Sequence, residues 1–335
     1  MKNVLVTGGL GYIGSHVCVE LLQKNYNVVV VDDLSNSRYE VLDAIEAITH
    51  IRPTFYQVNV GETEQMTEIL QSHRIDVVIH LAAYKSVEGS IKNPQLFYDN
   101  NVTCLQGLLQ AMQKTACRNI VFSSSATVYG KNTAPYVETM ELSAVSPYAQ
   151  TKIDAEEMLQ NLCKADDSWS VVVLRYFNAV GAHKSGQIGE LPTEDAHNLF
   201  PCMSLVVLQQ KKRLKLYGKD YNTPDGTAIR DYVHVCDLAK GHLAAIDYSM
   251  SRKGFDAINL GTGIGYSVLE MLRGYEAICE RQIPYEVAEQ RPGDVAVMYA
   301  DVTKAREKLG WQAELGLEEM CRDSWEFVRI FHGGK

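Results

Sequence analysis

Long hydrophobic runs are missing from this 335-residue chain: purely apolar stretches such as Val28 to Val31 are strand-sized, far short of the ~20 residues a spanning helix needs. No membrane segment is expected. Basic runs are equally scarce. Acidic residues outnumber basic ones by 41 to 32, and Lys and Arg form nothing longer than Lys211-Lys212-Arg213, so no phosphate-tracking stripe is present and nucleic acid is not an expected partner. The eight cysteines include no C-x-x-C pair, which argues against a zinc site or any other metal centre. No charged-then-apolar leader precedes Asn3, and together with the scattered thiols this predicts a reduced, cytoplasmic chain. With 46% apolar and 22% charged residues, disordered and collagen-like readings also fall away.

What the chain does have is alternation. Short β-branched runs at Val4 to Thr7, Val28 to Val31, Val77 to Leu81, Ile120 to Ser123 and Ser170 to Tyr176 read as buried parallel strands. Amphipathic stretches between them predict helices at Tyr12 to Lys24, Thr63 to His73, Pro94 to Lys114 and Pro147 to Lys164. This pattern specifies an α/β fold with a doubly wound parallel sheet. After Asn178 the glycines 181, 186 and 189 and Pro192 break the periodicity. A smaller, partly discontinuous α/β domain is therefore expected over 179–335 beside a nucleotide-binding domain over 1–178. Later pieces near 230–262, including a helix Asp237 to Tyr248 and a strand Ala257 to Leu260, are expected to return to the main sheet.

Thr7-Gly8-Gly9-Leu10-Gly11-Tyr12-Ile13-Gly14 follows a predicted strand and opens a predicted helix, the setting that a dinucleotide fingerprint requires. Gly8 allows the tight turn, Gly11 lets backbone amides approach a pyrophosphate, and Gly14 lets the helix pack close to the strand. Asp32 ends the second strand, where a carboxylate meets ribose hydroxyls and repels a 2′-phosphate, which favours NAD over NADP. Asp33 beside it allows for a slip of one residue. A second constellation is Tyr148 and Lys152, four apart at a helix start, with Ser123-Ser124-Ser125 ending the preceding strand. A phenol near pKa 10 is a poor base at neutral pH, and a cation on the same helix face is placed to draw its pKa down. A tyrosine base beside a nicotinamide implies hydride transfer at an alcohol carbon.

The glycine spacing G-x-x-G-x-x-G, with the Tyr-Lys pair, resembles the extended short-chain dehydrogenase/reductase superfamily, and the resemblance runs nearly end to end. It implies that Ser125, Tyr148 and Lys152 are catalytic. It further implies cofactor contacts from Gly8, Gly11, Tyr12, Ile13, Gly14, Asp32, Asp33, Leu34, Ser35, Asn36, Ser37, Asn59, Val60, Leu81, Ala82, Ala83, Lys85, Asn100 and Phe177, besides the catalytic three. Asn59 stands where Asp is usual, keeping an acceptor without the charge.

Within the superfamily, Ala126-Thr127 follows the serines where 4,6-dehydratases carry an acidic pair. Arg175-Tyr176-Phe177-Asn178, Asn198-Leu199, Arg230-Asp231-Tyr232, Asn259-Leu260-Gly261 and Arg291-Pro292-Gly293-Asp294 resemble the UDP-glucose 4-epimerase family. That resemblance implies a UDP-hexose substrate, tightly held NAD and a homodimer paired through the helices Pro94 to Lys114 and Pro147 to Lys164. Its implied substrate contacts are Ser125, Tyr148, Asn178, Asn198, Leu199, Leu216, Tyr217, Arg230, Arg291, Asp294 and Met298. Arg230 and Arg291 supply planar forks for a diphosphate. Met298 falls where a small residue admits N-acetylated sugars and a bulky aromatic excludes them, and a flexible methionine leaves that choice open. The competing readings are a sibling chemistry, either a nucleotide-sugar reductase or an epimerase acting on UDP-glucuronate or UDP-GlcNAc, and a catalytically silent NAD-binding module, and the intact Tyr-Lys pair weighs against the last.

Overall fold

The computed structural model describes residues 2–192, 196, 198–291 and 293–333. Its strands are β1 (Asn3–Thr7), β2 (Asn27–Asp32), β3 (Thr54–Gln57), β4 (Val77–His80), β5 (Asn119–Ser125), β6 (Ser170–Tyr176), β7 (Asn178–Val180), β8 (Leu214–Tyr217), β9 (Ile229–His234), β10 (Gly254–Leu260), β11 (Gly265–Ser267), β12 (Tyr285–Ala288) and β13 (Val297–Met298). The main helices are α1 (Tyr12–Gln23), α2 (Glu40–Thr49), α3 (Thr63–Ser72), α4 (Val87–Lys92), α5 (Pro94–Tyr98), α6 (Cys104–Gln113), α7 (Pro147–Ala165), α8 (Leu199–Val207), α9 (Val235–Ser251), α10 (Val268–Cys279), α11 (Thr303–Leu309) and α12 (Leu317–Phe331).

Seven strands form one parallel sheet in the order β3-β2-β1-β4-β5-β6-β10. The order reverses between β1 and β4, which opens a crevice at the carboxyl ends of those strands, the place where such sheets take ligands. Burial on both faces explains the continuous apolar runs Val28–Val31 in β2 and Val171–Leu174 in β6. Val4 and Val6 of β1 join a cluster with Val17, Leu21, Leu238 and Ile246 of α1 and α9. Leu5, pointing the other way, joins Met66, Leu108, Met112 and Leu159 of α3, α6 and α7. β10 pairs with β6 over its full length, so a late segment of the chain completes this sheet. The remaining strands make smaller assemblies: β9 pairs with β7, β11 and β13, and β8 pairs with β12. Among the described residues, no helix is long and apolar enough to cross a membrane.

The single helix expected from Pro94 to Lys114 is instead three pieces, because a π-helical turn over Asp99–Thr103 separates α5 from α6. The widened turn brings Asn101 inward, where it is buried. Its carboxamide accepts from the Tyr84 backbone N–H at 2.8 Å and donates to the Tyr84 carbonyl at 3.0 Å and the Thr151 hydroxyl at 3.1 Å. A π-turn that exchanges regular helical bonds for a side chain clamping a neighbouring loop is a common device near functional sites.

Candidate active site

The loop between β1 and α1 depends on its glycines. Gly8 has φ +66°, and a Cβ there would lie 2.8 Å from the Ala82 backbone nitrogen. A Cβ on Gly14 would meet the Gly8 carbonyl oxygen at 2.1 Å. Turn, helix start and the segment after β4 therefore touch backbone to backbone, leaving a cradle that any side chain would fill. The N-terminus of α1 has neither a side-chain cap nor an acidic residue in its first turn, so its amides and dipole remain available to an anion. Gly11, Tyr12, Ile13 and Gly14 all belong to this helix start.

Asp32 is buried at the end of β2. One oxygen accepts from the Leu10 amide at 3.0 Å, and the other from the Leu34 amide at 3.0 Å and the Ser37 hydroxyl at 2.6 Å. It thus ties the glycine loop to the loop that follows β2. Asp33 accepts from the Ser35 amide at 2.9 Å and the Asn59 carboxamide at 3.1 Å. Ser35 and Asn36 are exposed on that loop, whereas Val60 is buried in the core below it. Leu81, Ala82 and Ala83 run on from β4, half-buried against the glycine turn. Lys85 and Asn100 flank the same crevice. The Lys85 ammonium pairs with Glu190 at 2.7 Å, and the Asn100 carboxamide donates to Asn101 at 3.1 Å.

The second constellation lies at the carboxyl end of β5. Ser146 caps α7 by accepting from the Ala149 amide at 3.2 Å, with Pro147 in the first turn, a start that fixes Tyr148 and Lys152 at the beginning of the helix. Ser125 ends β5, and its hydroxyl accepts from the Thr127 amide at 3.3 Å and hydroxyl at 3.0 Å. Both members of the Tyr-Lys pair are buried. Burial pushes the Tyr148 phenol up to about 12, partly opposed by its hydrogen bond with Ser125. Burial also drives Lys152 down to about 8, partly opposed by Glu156 one turn further on. The expected lowering of the phenol's pKa rests on Lys152 together with the positive charge of a nicotinamide, and the chain's own groups do not produce it by themselves. The ammonium donates to the Ser123 carbonyl at 2.7 Å, and from the chain's own groups desolvation outweighs charge.

Beneath this pair runs a polar network that the residue pattern did not announce. Glu156 accepts from Ser124 at 2.5 Å and grips Arg175 through two bonds, at 3.1 and 2.7 Å. Arg175 continues to the Tyr129 hydroxyl at 3.0 Å, which donates to Asn259 at 2.6 Å. Polar residues inside otherwise apolar strands and helix faces were the available signal. Asn101 was missed in the same way.

Across the crevice, β9 and β13 bring Arg230, Asp294 and Met298 together. Arg230 donates to the carbonyls of Ile229 and Val295 at 2.9 and 2.8 Å and pairs with Asp294 at 3.4 Å. Asp231, its sequence neighbour, instead accepts from Thr262, Gly263 and Ala300. Met298 is paired in register with Arg230 and packs on the cluster that holds buried Phe177 and Tyr136. Arg291 stacks on the Tyr217 ring at 3.9 Å; Pro292 lies outside the described residues. Asn178 is exposed at the start of β7. Asn198 and Leu199 begin α8, with the Asn198 carboxamide donating to Glu190 at 2.8 Å. Leu216 departs from expectation: its side chain is in the core with Phe200 and Tyr232, because alternation along β8 turns it inward, and only its backbone is left for a ligand.

A family model described as GDP-mannose 4,6 dehydratase matches residues 5–324, although Ala126-Thr127 occupies the place of the acidic pair associated with dehydration. The chain is 48% identical to the UDP-glucose 4-epimerase of Bacillus subtilis, over 97% of this chain and 96% of that one. It is 45% identical to the UDP-glucose 4-epimerase of Dictyostelium discoideum, over 99% and 97%. The solved UDP-glucose 4-epimerase from Stenotrophomonas maltophila, with bound NAD and formylated UDP-arabinopyranose, superposes with a TM-score of 0.97 at 42% identity, covering 99% of both chains. The epimerase from Bifidobacterium longum in complex with NAD+ and UDP gives 0.95 at 43% identity, covering 100% of both. Similarity of this extent, with no large insertion or deletion on either side, means that the chain belongs to the UDP-glucose 4-epimerase family.

Proposed function

We propose that the chain interconverts UDP-glucose and UDP-galactose by inverting carbon 4 of the hexose with a retained NAD. The observation that carries this reading is the buried pair of Tyr148 and Lys152 at the start of α7, beside Ser125 at the carboxyl end of β5. The glycine cradle and the uncapped α1 terminus fit a dinucleotide pyrophosphate, and Asp32 and Asp33 stand where its adenosine ribose would lie. Bound NAD supplies a hydride acceptor for the outward reaction and a hydride donor for the return.

Tyr148 takes the proton from the 4-hydroxyl and gives it back, while the Ser125 hydroxyl orients the reacting oxygen. Lys152, buried four residues on, favours the phenolate once the surroundings hold further positive charge. Arg230 and Arg291 hold the diphosphate, Tyr217 packs beside the base and Asp294 offers an acceptor to its ribose. Asn178, Asn198 and Leu199 border the sugar and phosphate oxygens. With binding energy concentrated on the nucleotide, the 4-keto sugar is free to turn over and accept hydride on its other face. Phe177 and Met298 line the space in which it turns, and turnover of UDP-GlcNAc and UDP-GalNAc there is a secondary activity under this reading.

The cofactor assembly is assigned mainly to residues 1–178, and UDP-sugar binding mainly to 179–335. A homodimer is supported by Val87, Ile91, Leu96 and Tyr98, large apolar side chains exposed on α4 and α5, with α5 packed against α7. A reducing, cytoplasmic setting is supported by eight free thiols. The test is incubation of the purified protein with UDP-galactose and no added cofactor. UDP-glucose accumulating to one fixed ratio from either direction is expected; consumption of free NADH with a reduced sugar product would replace the reading with a reductase.

A further inference from the structure

Glu190 stands where the two halves of the crevice meet. A single carboxylate oxygen accepts from the Lys85 ammonium at 2.7 Å and from the Asn198 carboxamide at 2.8 Å. Its side chain is 16% exposed while that of Lys85 is 52% exposed, so the carboxylate is largely covered and its negative charge is shared by two donors from distant parts of the chain. Lys85 also lies 5.7 Å from the centre of the Tyr12 ring, and the Tyr12 hydroxyl donates to the Gly181 carbonyl at 2.7 Å. The segment after β4 and the N-cap of α8 thus meet on one carboxylate, which the segment after β7 carries, and the first turn of α1 adjoins them through Lys85 and Gly181.

An exposed ion pair of this kind would contribute little. A covered carboxylate with two donors is different, because each donor fixes the oxygen that the other one uses. We propose that Glu190 is a positioning residue that couples occupancy of the UDP-sugar site to retention of NAD. This rests on the assignment of Lys85 to the cofactor and Asn198 to the substrate made above. A ligand that orients Asn198 orients Glu190, and Glu190 in turn holds Lys85 against the dinucleotide. Such coupling is reciprocal: the nucleotide that tightens NAD is itself bound more tightly when NAD is present. It also serves the reaction, since a hydride removed from the sugar returns only if the cofactor stays until the sugar has turned.

The experiment follows exchange of bound NAD for labelled NAD in the holoprotein, with and without saturating UDP, so that no turnover is involved. UDP is expected to slow exchange about tenfold in the parent, within the usual range of couplings between sites. Glu190→Ala is expected to bring that factor to within about twofold of unity. Glu190→Gln, isosteric and still an acceptor for Asn198 but without the charge on Lys85, is expected to fall between them, and it keeps the test alive if the alanine variant folds poorly. A parent factor retained in both variants, or a parent that holds NAD and UDP with no effect of one on the other, overturns the coupling alone. A parent that binds neither nucleotide overturns the coupling together with the function on which it rests.

Discussion

The Lys152 ammonium lies 6.0 Å from the centre of the Tyr148 ring and donates instead to the Ser123 carbonyl at 2.7 Å. The lysine is therefore anchored to the strand that carries Ser125. Tyr148→Phe removes the hydroxyl that the proposed mechanism uses as its base. Turnover should fall about a hundred- to ten-thousand-fold, the usual contribution of general acid–base catalysis. UDP affinity, assigned in the proposed function to Arg230 and Arg291, should stay within about threefold of the parent. Steady-state kinetics with a separate UDP titration checks this, and near-normal turnover would remove Tyr148 from the mechanism.

Burial of Lys152 is costly, and the cost depends on pH. Its pKa is near 8 in the fold against 10.5 for an ordinary lysine. Between these values the unfolded chain binds a proton that the folded chain does not, so this group makes stability rise with pH from 8 to 10.5. Below 8 the full penalty is present. Lys152→Met should abolish activity yet raise stability at pH 7 by about 1–3 kcal/mol, with the gap closing as pH approaches 10.5. Tyr148 loses its own proton earlier in the unfolded chain than in the fold, which weakens both proteins alike above pH 10 and cancels in the difference. Urea unfolding at pH 7, 8.5 and 10 reads it out; a variant no more stable than the parent at pH 7 would show that the Ser123 and Glu156 interactions already offset burial.

Glu156 and Arg175 are 3% and 5% exposed and form a two-point ion pair. Removing one partner leaves the other charge stranded in a dry interior. Glu156→Ala should destabilise by about 3–5 kcal/mol, whereas replacing both residues by Met should cost far less. Comparing the single and double variants by chemical denaturation decides the matter, and a single variant that loses no more than the double would mean that the Tyr129 hydroxyl and the Glu138 backbone carbonyl, which accept from Arg175 at 3.0 and 3.1 Å, suffice to hold the guanidinium.

Much of this architecture was legible because buried parallel strands leave a strong mark. Val28 to Val31 and Val171 to Leu174 are apolar on both faces, and glycines 8 and 14 are demanded by backbone contacts that no side chain permits. What escaped has physical reasons. β3 is a half-buried edge strand of four residues, too short and too polar for a clear period. The π-turn at Asp99–Thr103 leaves the apolar spacing of α5 and α6 intact, so a continuous helix fits the sequence equally well. Leu216 read as a ligand contact because motif matching does not reveal which face of β8 turns inward. Glu190 was invisible for a related reason: its two partners lie 105 and 8 residues away, and only the fold brings them together.

The apolar side chains exposed along α4 and α5 test the assembly. Ile91 is 57% exposed and Leu96 46%, with Tyr98 at 44% and Val87 at 41% nearby in the chain. Ile91→Lys combined with Leu96→Lys should convert a dimer to monomer in sedimentation at micromolar concentration, because two charges would be buried without partners. A parent that already sediments as a monomer, or a variant that stays dimeric, would place the interface elsewhere or nowhere.

Met298 tests the sugar-facing wall. It is half-buried against the cluster of Phe177, Tyr136 and Ile153 and is paired in register with Arg230, so its side chain fills volume next to the site without holding either arginine. Shortening it frees space that an N-acetyl group requires, and a ring there takes the space away. Met298→Ala should raise turnover of UDP-GlcNAc relative to UDP-galactose about tenfold, and Met298→Tyr should lower the same ratio by at least as much, in keeping with the modest discrimination that one apolar contact provides. The ratio is the decisive quantity, since both variants will also disturb the shared packing with Phe177 and change absolute rates. Chromatographic assay of the two UDP-sugars in competition yields it directly, and a ratio unmoved in both variants would show that position 298 does not border the hexose.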